Sequence, residues 1–283
     1  MIIDCFTFFN ELKLLQLRLE ETSDVVDYYV LVESIKTFTN KDKELYYQNN
    51  KHLFEKYRHK IIHIIVDDMP EESDSTDFDI IGNHPNDANW TRERFQRNAI
   101  MRGLQRLNLN GDDIIIINDA DEIIRKEVLE YFKGDGVRGL YVLAVDSYIY
   151  NLRNKCLQGW PPPRISCGSR AINYGDLLEI GSVDKVRNTY LHNRELYPNG
   201  AINDNLFAWI VRDAGWHFSY FGETQSIIDK IKSYSHQELN TKDIINNIDE
   251  YISSGKYISN DYQTEIVDIQ NNFNLPKNYG IIL

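Results

Sequence analysis

Residues 112–122 read Asp-Asp-Ile-Ile-Ile-Ile-Asn-Asp-Ala-Asp-Glu (DDIIIINDADE). Four consecutive isoleucines are too short a run for a helix, and β-branched side chains favour the extended chain. An unbroken apolar run, rather than an alternating one, suits a strand covered on both faces, as in a parallel sheet flanked by helices. The strand predicted over residues 112–118 empties directly into Asp119-Ala120-Asp121. Open parallel sheets take their ligands beyond the C-terminal ends of their strands. That end therefore marks the place to look for chemistry.

Three further strands precede it, at residues 2–9 (IIDCFTFF), 27–34 (DYYVLVES) and 60–66 (KIIHIIV). A helix is predicted over residues 11–22, with Asn10 as its cap and Leu12, Leu15 and Leu19 on one face, Leu14 and Leu17 close by. Residues 41–58 read as partly helical and 71–89 as an acidic, exposed loop. Residues 91–107 read as a helix carrying Phe95, Ala99, Leu104 and Leu107. Strands alternating with helices predict an α/β fold with a Rossmann-like, doubly wound, mostly parallel sheet. The second half is less regular. One strand is expected over residues 139–152, a rigid proline-rich connection over 159–168 and irregular chain over 190–203. Strands follow at 206–211 and 216–221, then helix from 224 past 247. No linker, repeat or low-complexity tract divides the chain, so a single domain is expected.

The 283 residues carry 31 Lys+Arg against 43 Asp+Glu, a net charge of -12, which offers no positive field to gather nucleic acid. The same charge is compatible with a phosphate-bearing small ligand that arrives with a divalent cation. Eighteen tyrosines, 12 phenylalanines and 4 tryptophans argue against disorder. Cys5, Cys156 and Cys167 are too few and too scattered for a disulfide framework or a zinc site. The opening MIIDCFTFFNELKLL has no basic leader, and no stretch approaches the ~20 apolar residues of a transmembrane helix. A soluble, cytoplasmic protein with no transmembrane segment is the expectation.

Two carboxylates one residue apart at a strand end can present oxygens to one Mg²⁺ or Mn²⁺, which shares them readily with a diphosphate. A DxD triplet alone also suits a solvated turn; the isoleucine strand before it favours the site. Arg94, Arg97 and Asn98 lie in the preceding helix, where the arginines suit either a diphosphate or surface pairs with Glu93. Glu33, ending the second strand, suits either a hydrogen bond to a nucleobase or ribose or a helix cap. Asp67-Asp68 reads as part of a solvated acidic run.

Five segments, DCFTFFNELKLLQLRL, VVDYYVLVES with KTFTNK after it, ERFQRNAIMRGL, DDIIIINDADEI, and GWHFSYFG followed by KIKSYSHQE, together resemble glycosyltransferase family 17 over roughly residues 1–240. The resemblance implies a GT-A fold with a nucleotide-sugar-binding half (1–125) and an acceptor-binding half with C-terminal helices (126–283). It implies a nucleotide-sugar donor, UDP-N-acetylglucosamine (UDP-GlcNAc) in the characterised branch, a glycan acceptor, a Mn²⁺ or Mg²⁺ cofactor and inversion at the anomeric carbon. The chain lacks the membrane anchor and stem of the animal members and resembles the shorter soluble relatives from microbes or viruses, which suggests action in a cytoplasm.

Carried over residue by residue, the resemblance assigns Asp119 and Asp121 to the metal, Asp119 also to the ribose, with Glu122 behind them. Arg97 belongs near the diphosphate or base, with Asn98 ordering the loop on the nucleotide-sugar side, and Phe8, Phe9 and Glu33 around the nucleoside; Arg94 stays a nucleotide-side candidate from its place in the helix. His217 in GWHFSY is a candidate metal ligand or a core histidine. The base that takes the acceptor proton is sought first at Asp213, then at Glu223 and Glu238. Trp160 and Arg164 in GWPPPR, with His236, are candidate acceptor contacts; the Trp-Pro segment equally suits a hydrophobic plug. Two other readings stand beside this one. A sugar-phosphate nucleotidyltransferase would want a glycine-rich basic loop, which FTFFNEL lacks. A non-catalytic glycan-binding module on the same fold would not need an intact acidic triplet.

Overall fold

The isoleucine run forms a strand buried on both faces, at the middle of the larger of two sheets. A computed structural model of the chain describes residues 1–72, 88–158, 168–188, 201–203, 206–258 and 263–283. The first half runs β1 (Ile2–Phe8), α1 (Leu12–Thr22), β2 (Tyr28–Ser34), α2 (Tyr46–Asn50), a 3₁₀ stretch Lys51–Lys60, β3 (Ile61–Val66), α3 (Ala88–Asn98), α4 (Ile100–Leu104) and β4 (Ile114–Asp119). The second half runs β5 (Glu122–Ile124), α5 (Lys126–Asp135), β6 (Leu140–Leu143), β7 (Asp146–Ile149), β8 (Asn154–Gln158), β9 (Arg170–Asn173), α6 (Tyr174–Ile180) and α7 (Val183–Asn188). It continues with β10 (Ala201–Asn203), β11 (Leu206–Val211), β12 (Gly215–Ser219), α8 (Thr224–Ser233) and β13 (Gln263–Ile266).

The larger sheet has the order β10-β11-β6-β9-β4-β1-β2-β3. β4, β1, β2 and β3 are parallel neighbours, β9 runs antiparallel to β4 and β6, and β11 is parallel to β6. The mixed α/β architecture with a mainly parallel sheet is the one the sequence predicts. Successive side chains alternate between its faces. Ile114 and Ile116 join Phe6, Leu31, Leu15 and Phe132 on one side, while Ile115 and Ile117 join Cys5, Val30, Ile100 and Val183 on the other. Gly103 lets α4 lie close on β2, because a Cβ there would collide with the Val30 side chain.

The smaller sheet has the order β13-β8-β7-β12-β5. Helix α1 lies between the two sheets. Its Leu15 and Leu19 pack with the larger sheet, and its Leu14 and Leu17 with Tyr148, Trp216 and Phe218 of the smaller. Its five leucines therefore have two apolar surfaces to fill rather than one.

Several local expectations are corrected. The strand predicted over residues 139–152 is two strands in different sheets. The chain crosses between them at Ala144, whose N–H donates to Val211 O and whose carbonyl accepts from Ala214 N, both at 2.8 Å. The helix predicted over 91–107 begins at Ala88 and divides at Ala99. Glu11, not Asn10, precedes α1, and its Oε2 accepts the N–H groups of Phe9 (3.1 Å) and Asn10 (3.0 Å). The helix predicted from 224 past 247 is divided into α8, ending at Ser233, a 3₁₀ turn Gln237–Leu239 and two short helices, Lys242–Asn246 and Ile248–Ser254, before β13.

Candidate active site

Going along the chain, strands are added from β1 outward to β3, and then the chain returns to the other side of β1 to lay down β4. Between β1 and β4 the order reverses, which is where an open parallel sheet leaves a crevice. A cleft of about 310 Å³ opens there. Its floor is Thr7, Phe8 and Phe9 after β1 and Asp119, Ala120 and Asp121 after β4. Glu93 and Arg97 of α3 form one wall, and His217 of β12 with Lys230 of α8 form the other.

The acidic turn is held from beneath by an arginine with essentially no exposure. Arg18 of α1 donates to Asp4 Oδ2 at 2.7 Å, to the carbonyls of Asp119 (2.7 Å) and Ala120 (3.3 Å), and to that of Glu122. Asn118 donates to the other oxygen of Asp4 at 2.6 Å. A planar guanidinium with several donors suits this cluster of acceptors in a way an ammonium does not. The turn's backbone is thus fixed by a residue more than a hundred positions upstream.

Asp119 faces the larger sheet's helices. Arg187 of α7 donates to its Oδ2 at 2.6 Å, and Arg97 stands 3.6 Å from its Oδ1. Burial alone would raise its carboxyl pKa; Arg187 and Arg97 outweigh that and hold it below the usual range. Both arginines are themselves committed. Arg97 donates to Asp184 and to Glu93, each at 2.6 Å, and Arg187 to Glu122 at 3.1 Å. Glu122, almost wholly buried, also accepts the Asp119 N–H at 3.1 Å.

Asp121 faces the smaller sheet. Lys230 donates to its Oδ2 at 2.7 Å, and His217 Nε2 lies 3.5 Å from its Oδ1. Burial works against its charge, yet Lys230 and His217 together hold its pKa far below the usual range. Burial likewise lowers His217, but the Asp121 carboxylate more than reverses this and raises it. Lys230 also lies 3.5 Å from Glu11 Oε1.

Of the residues singled out from sequence, Phe8, Phe9, Arg97, Asp119, Asp121, His217 and His236 line the cleft. Glu33 does not. It is fully buried, and its oxygens accept the N–H groups of Tyr47 (2.9 Å) and Gln48 (3.3 Å), so it takes up the start of α2. Arg94 turns back to Thr91 at 3.3 Å. Asn98 accepts from Ser182 Oγ and Asp184 N, both at 3.0 Å, and so places the partner of Arg97 rather than a ligand. Asp213, exposed at φ 52, sits in the turn before β12, and Glu223 sits exposed at the start of α8; neither lines the cleft. Glu238 is exposed but bonds His236 Nδ1 at 2.6 Å. Trp160 and Arg164 lie outside the described residues. Sequence reasoning missed Arg18, Arg187, Lys230 and Glu11.

Among the described residues no three His, Cys, Asp or Glu side chains converge to cage a metal ion. A hard cation that keeps waters and takes phosphate oxygens needs only one or two protein carboxylates. Each aspartate has one oxygen committed to a cationic side chain. The other oxygen of Asp119 is buried and accepts no hydrogen bond from the described residues, and that of Asp121 faces His217. Asp121 and His217, with Asp119 behind them, therefore fit a divalent cation bound together with a phosphate ligand.

A mostly parallel sheet with an acidic turn at its switch point places the chain among α/β proteins whose cleft opens beyond the C-terminal ends of the strands. Residues 1–159 match glycosyltransferase family 17, and the chain belongs to that family. Among its relatives are the β-1,4-mannosyl-glycoprotein 4-β-N-acetylglucosaminyltransferases of Rattus norvegicus and Homo sapiens, each 27% identical over 253 residues. The match covers 82% of this chain but only 42% and 43% of those proteins, so the chain spans less than half their length. Similar solved structures include S. aureus TarS 1–349, with a TM-score of 0.37 and 11% identity, covering 89% of this chain and 72% of that one. Another is the glucosyl-3-phosphoglycerate synthase of Mycobacterium tuberculosis, solved with Mn²⁺, UDP and phosphoglyceric acid, with a TM-score of 0.37 and 12% identity, covering 95% and 87%. No helix among the described residues is long and apolar enough to cross a membrane.

Proposed function

We propose that the protein is a metal-dependent, inverting glycosyltransferase that moves N-acetylglucosamine from UDP-GlcNAc to a glycan acceptor. The observation that carries this reading is Asp121, flanked by His217 and Lys230, at the switch point of the sheet. The names of the animal relatives support the choice of sugar. Asp121 and His217 would hold the Mn²⁺ or Mg²⁺, which would supply positive charge to offset that of the diphosphate. Phe9 flanks the nucleoside, whereas the Phe8 side chain is buried in the core beneath it. Phe9 is braced edge-on by Tyr46 (centroids 5.9 Å apart), with Lys43 Nζ 5.4 Å from its ring.

Inversion needs one displacement. An acceptor hydroxyl oxygen bonds to the anomeric carbon, the bond from that carbon to the diphosphate breaks, and a base takes the hydroxyl proton. His236 lines the cleft, and Glu238 holds its Nδ1 at 2.6 Å, which fixes the orientation of the ring. We assign the base to this pair, and the acceptor platform to Tyr220 and Tyr234, whose hydroxyls meet at 3.0 Å beside His236. Calorimetry of UDP with and without Mn²⁺, and a transfer assay with UDP-GlcNAc, test the reading. UDP affinity that rises with Mn²⁺ and is lost in Asp121→Ala is expected. Affinity indifferent to both would sink it. His236→Ala is expected to lower kcat while leaving UDP affinity unchanged.

A further inference from the structure

Lys230 is out of keeping with its surroundings. Its ammonium sits between two carboxylates, 2.7 Å from Asp121 Oδ2 and 3.5 Å from Glu11 Oε1, on the side of the cleft assigned to a cation. The two arginines near Asp119 are rigid forks, each locked to further carboxylates. Lys230 is a flexible four-carbon stem tipped by a single charge. It is carried on α8, which Ile227 and Ile231 anchor in an apolar cluster. The backbone is fixed while the charge is able to swing.

We propose that Lys230 is a displaceable internal counterion that makes the cation and the nucleotide bind as a pair. In the ligand-free protein its positive charge occupies Asp121. A divalent cation arriving alone must share that carboxylate with an ammonium, and like charges at such distance repel. A cation arriving with a nucleoside diphosphate brings anionic oxygens. Lys230 then exchanges its carboxylate partner for a phosphate, and Asp121 is released to the cation. No bond is made or broken in this exchange; only ion-pair partners change. The inference rests on the nucleotide-sugar reading above and deepens it. By linkage, whatever factor UDP adds to cation affinity, the cation adds to UDP affinity.

The test is a Mn²⁺ titration followed by electron paramagnetic resonance of the free ion, with and without UDP, on the wild-type protein and on Lys230→Met and Lys230→Arg. In the wild type, UDP is expected to raise Mn²⁺ affinity at least tenfold. Lys230→Met is expected to bind Mn²⁺ alone about tenfold more tightly than wild type, and UDP with Mn²⁺ about tenfold more weakly, so the coupling shrinks. Lys230→Arg keeps the charge and is expected to keep the coupling. A lysine that merely shores up the fold would not tighten Mn²⁺ binding when removed. Wild-type coupling together with unchanged or weakened Mn²⁺ binding in Lys230→Met would overturn the role of Lys230 and leave the glycosyltransferase reading standing. Absence of any UDP-dependent Mn²⁺ binding in the wild type would overturn both.

Discussion

Asp119 and Asp121 are separated by one alanine, yet they answer to different parts of the molecule. Asp119 is framed by the larger sheet's helices through Arg97 and Arg187, whose guanidiniums are buried, always charged and each bonded to other carboxylates. Asp121 is framed by the smaller sheet and its helix through His217 and Lys230, an imidazole and an ammonium on a flexible stem. Two identical side chains thus meet different partners. On the reading proposed above, the first is built into an ionic lattice and the second changes partners. The C-terminal half does not merely cover the acidic turn; it supplies Arg187 to one carboxylate and His217 and Lys230 to the other.

The sharpest way to break this contrast is to remove what both aspartates share. Arg18→Leu leaves Asp4 buried without its cation and the carbonyls of Asp119, Ala120 and Glu122 without a donor. Breaking a buried pair in this way costs about 3–5 kcal/mol. Urea unfolding should show that loss, and both nucleotide and cation binding should weaken together.

Asp121→Asn acts on one side only. Removing one charge from a desolvated polar contact costs on the order of 2–5 kcal/mol. A loss of UDP–Mn²⁺ affinity of roughly 100-fold is expected by calorimetry, together with a fall in the unfolding midpoint, because Lys230 and His217 lose a buried carboxylate partner. Asp119→Asn should weigh more on the fold than on binding. It leaves Arg187 and Arg97 an acceptor short, a loss of about 1–3 kcal/mol of stability, while cation affinity falls less than in Asp121→Asn. If Asp119→Asn proved the more damaging to cation binding, the division of labour would be wrong.

The smallest effect concerns acid. Both aspartates have folded-state pKa values below their ordinary one, despite burial that favours the neutral form. Groups of this kind stabilise the fold fully above the unfolded value, about 3.9 for Asp, and lose that contribution as pH falls towards the lower folded value. Stability should therefore hold from neutrality down to about pH 4 and decline below it. In Asp119→Asn the decline should be shallower, as followed by urea midpoints across pH.

Much of the central sheet could be read without coordinates. The isoleucine run, the apolar strands at residues 2–9, 27–34 and 60–66, and the leucine-rich helix after the first all appear within a residue or two of their predicted places. Each depends on local periodicity and on the stiffness of β-branched residues. The acidic turn was legible for the same reason, since it directly follows its strand. Glu33 shows where such reading ends. A carboxylate at a strand end fits a ligand contact and a helix start equally well, and only the position of residues 47 and 48 selects the second. Asp213 was sought as the base because it lies close in sequence to His217, but the turn before β12 stands away from the cleft that β12 enters.

The sequence by itself determined the sheet, its central strands and the two aspartates at its switch point, because near-neighbour patterns of burial and polarity suffice for these. Only the tertiary structure decided what those aspartates face. Arg18 reaches Asp119 across 101 residues and Lys230 reaches Asp121 across 109. In sequence both are ordinary basic residues of amphipathic helices. The physical reason is that a buried charge is tolerated only beside its counter-charge, and that pairing comes from packing two sheets around one helix, which no local spacing encodes.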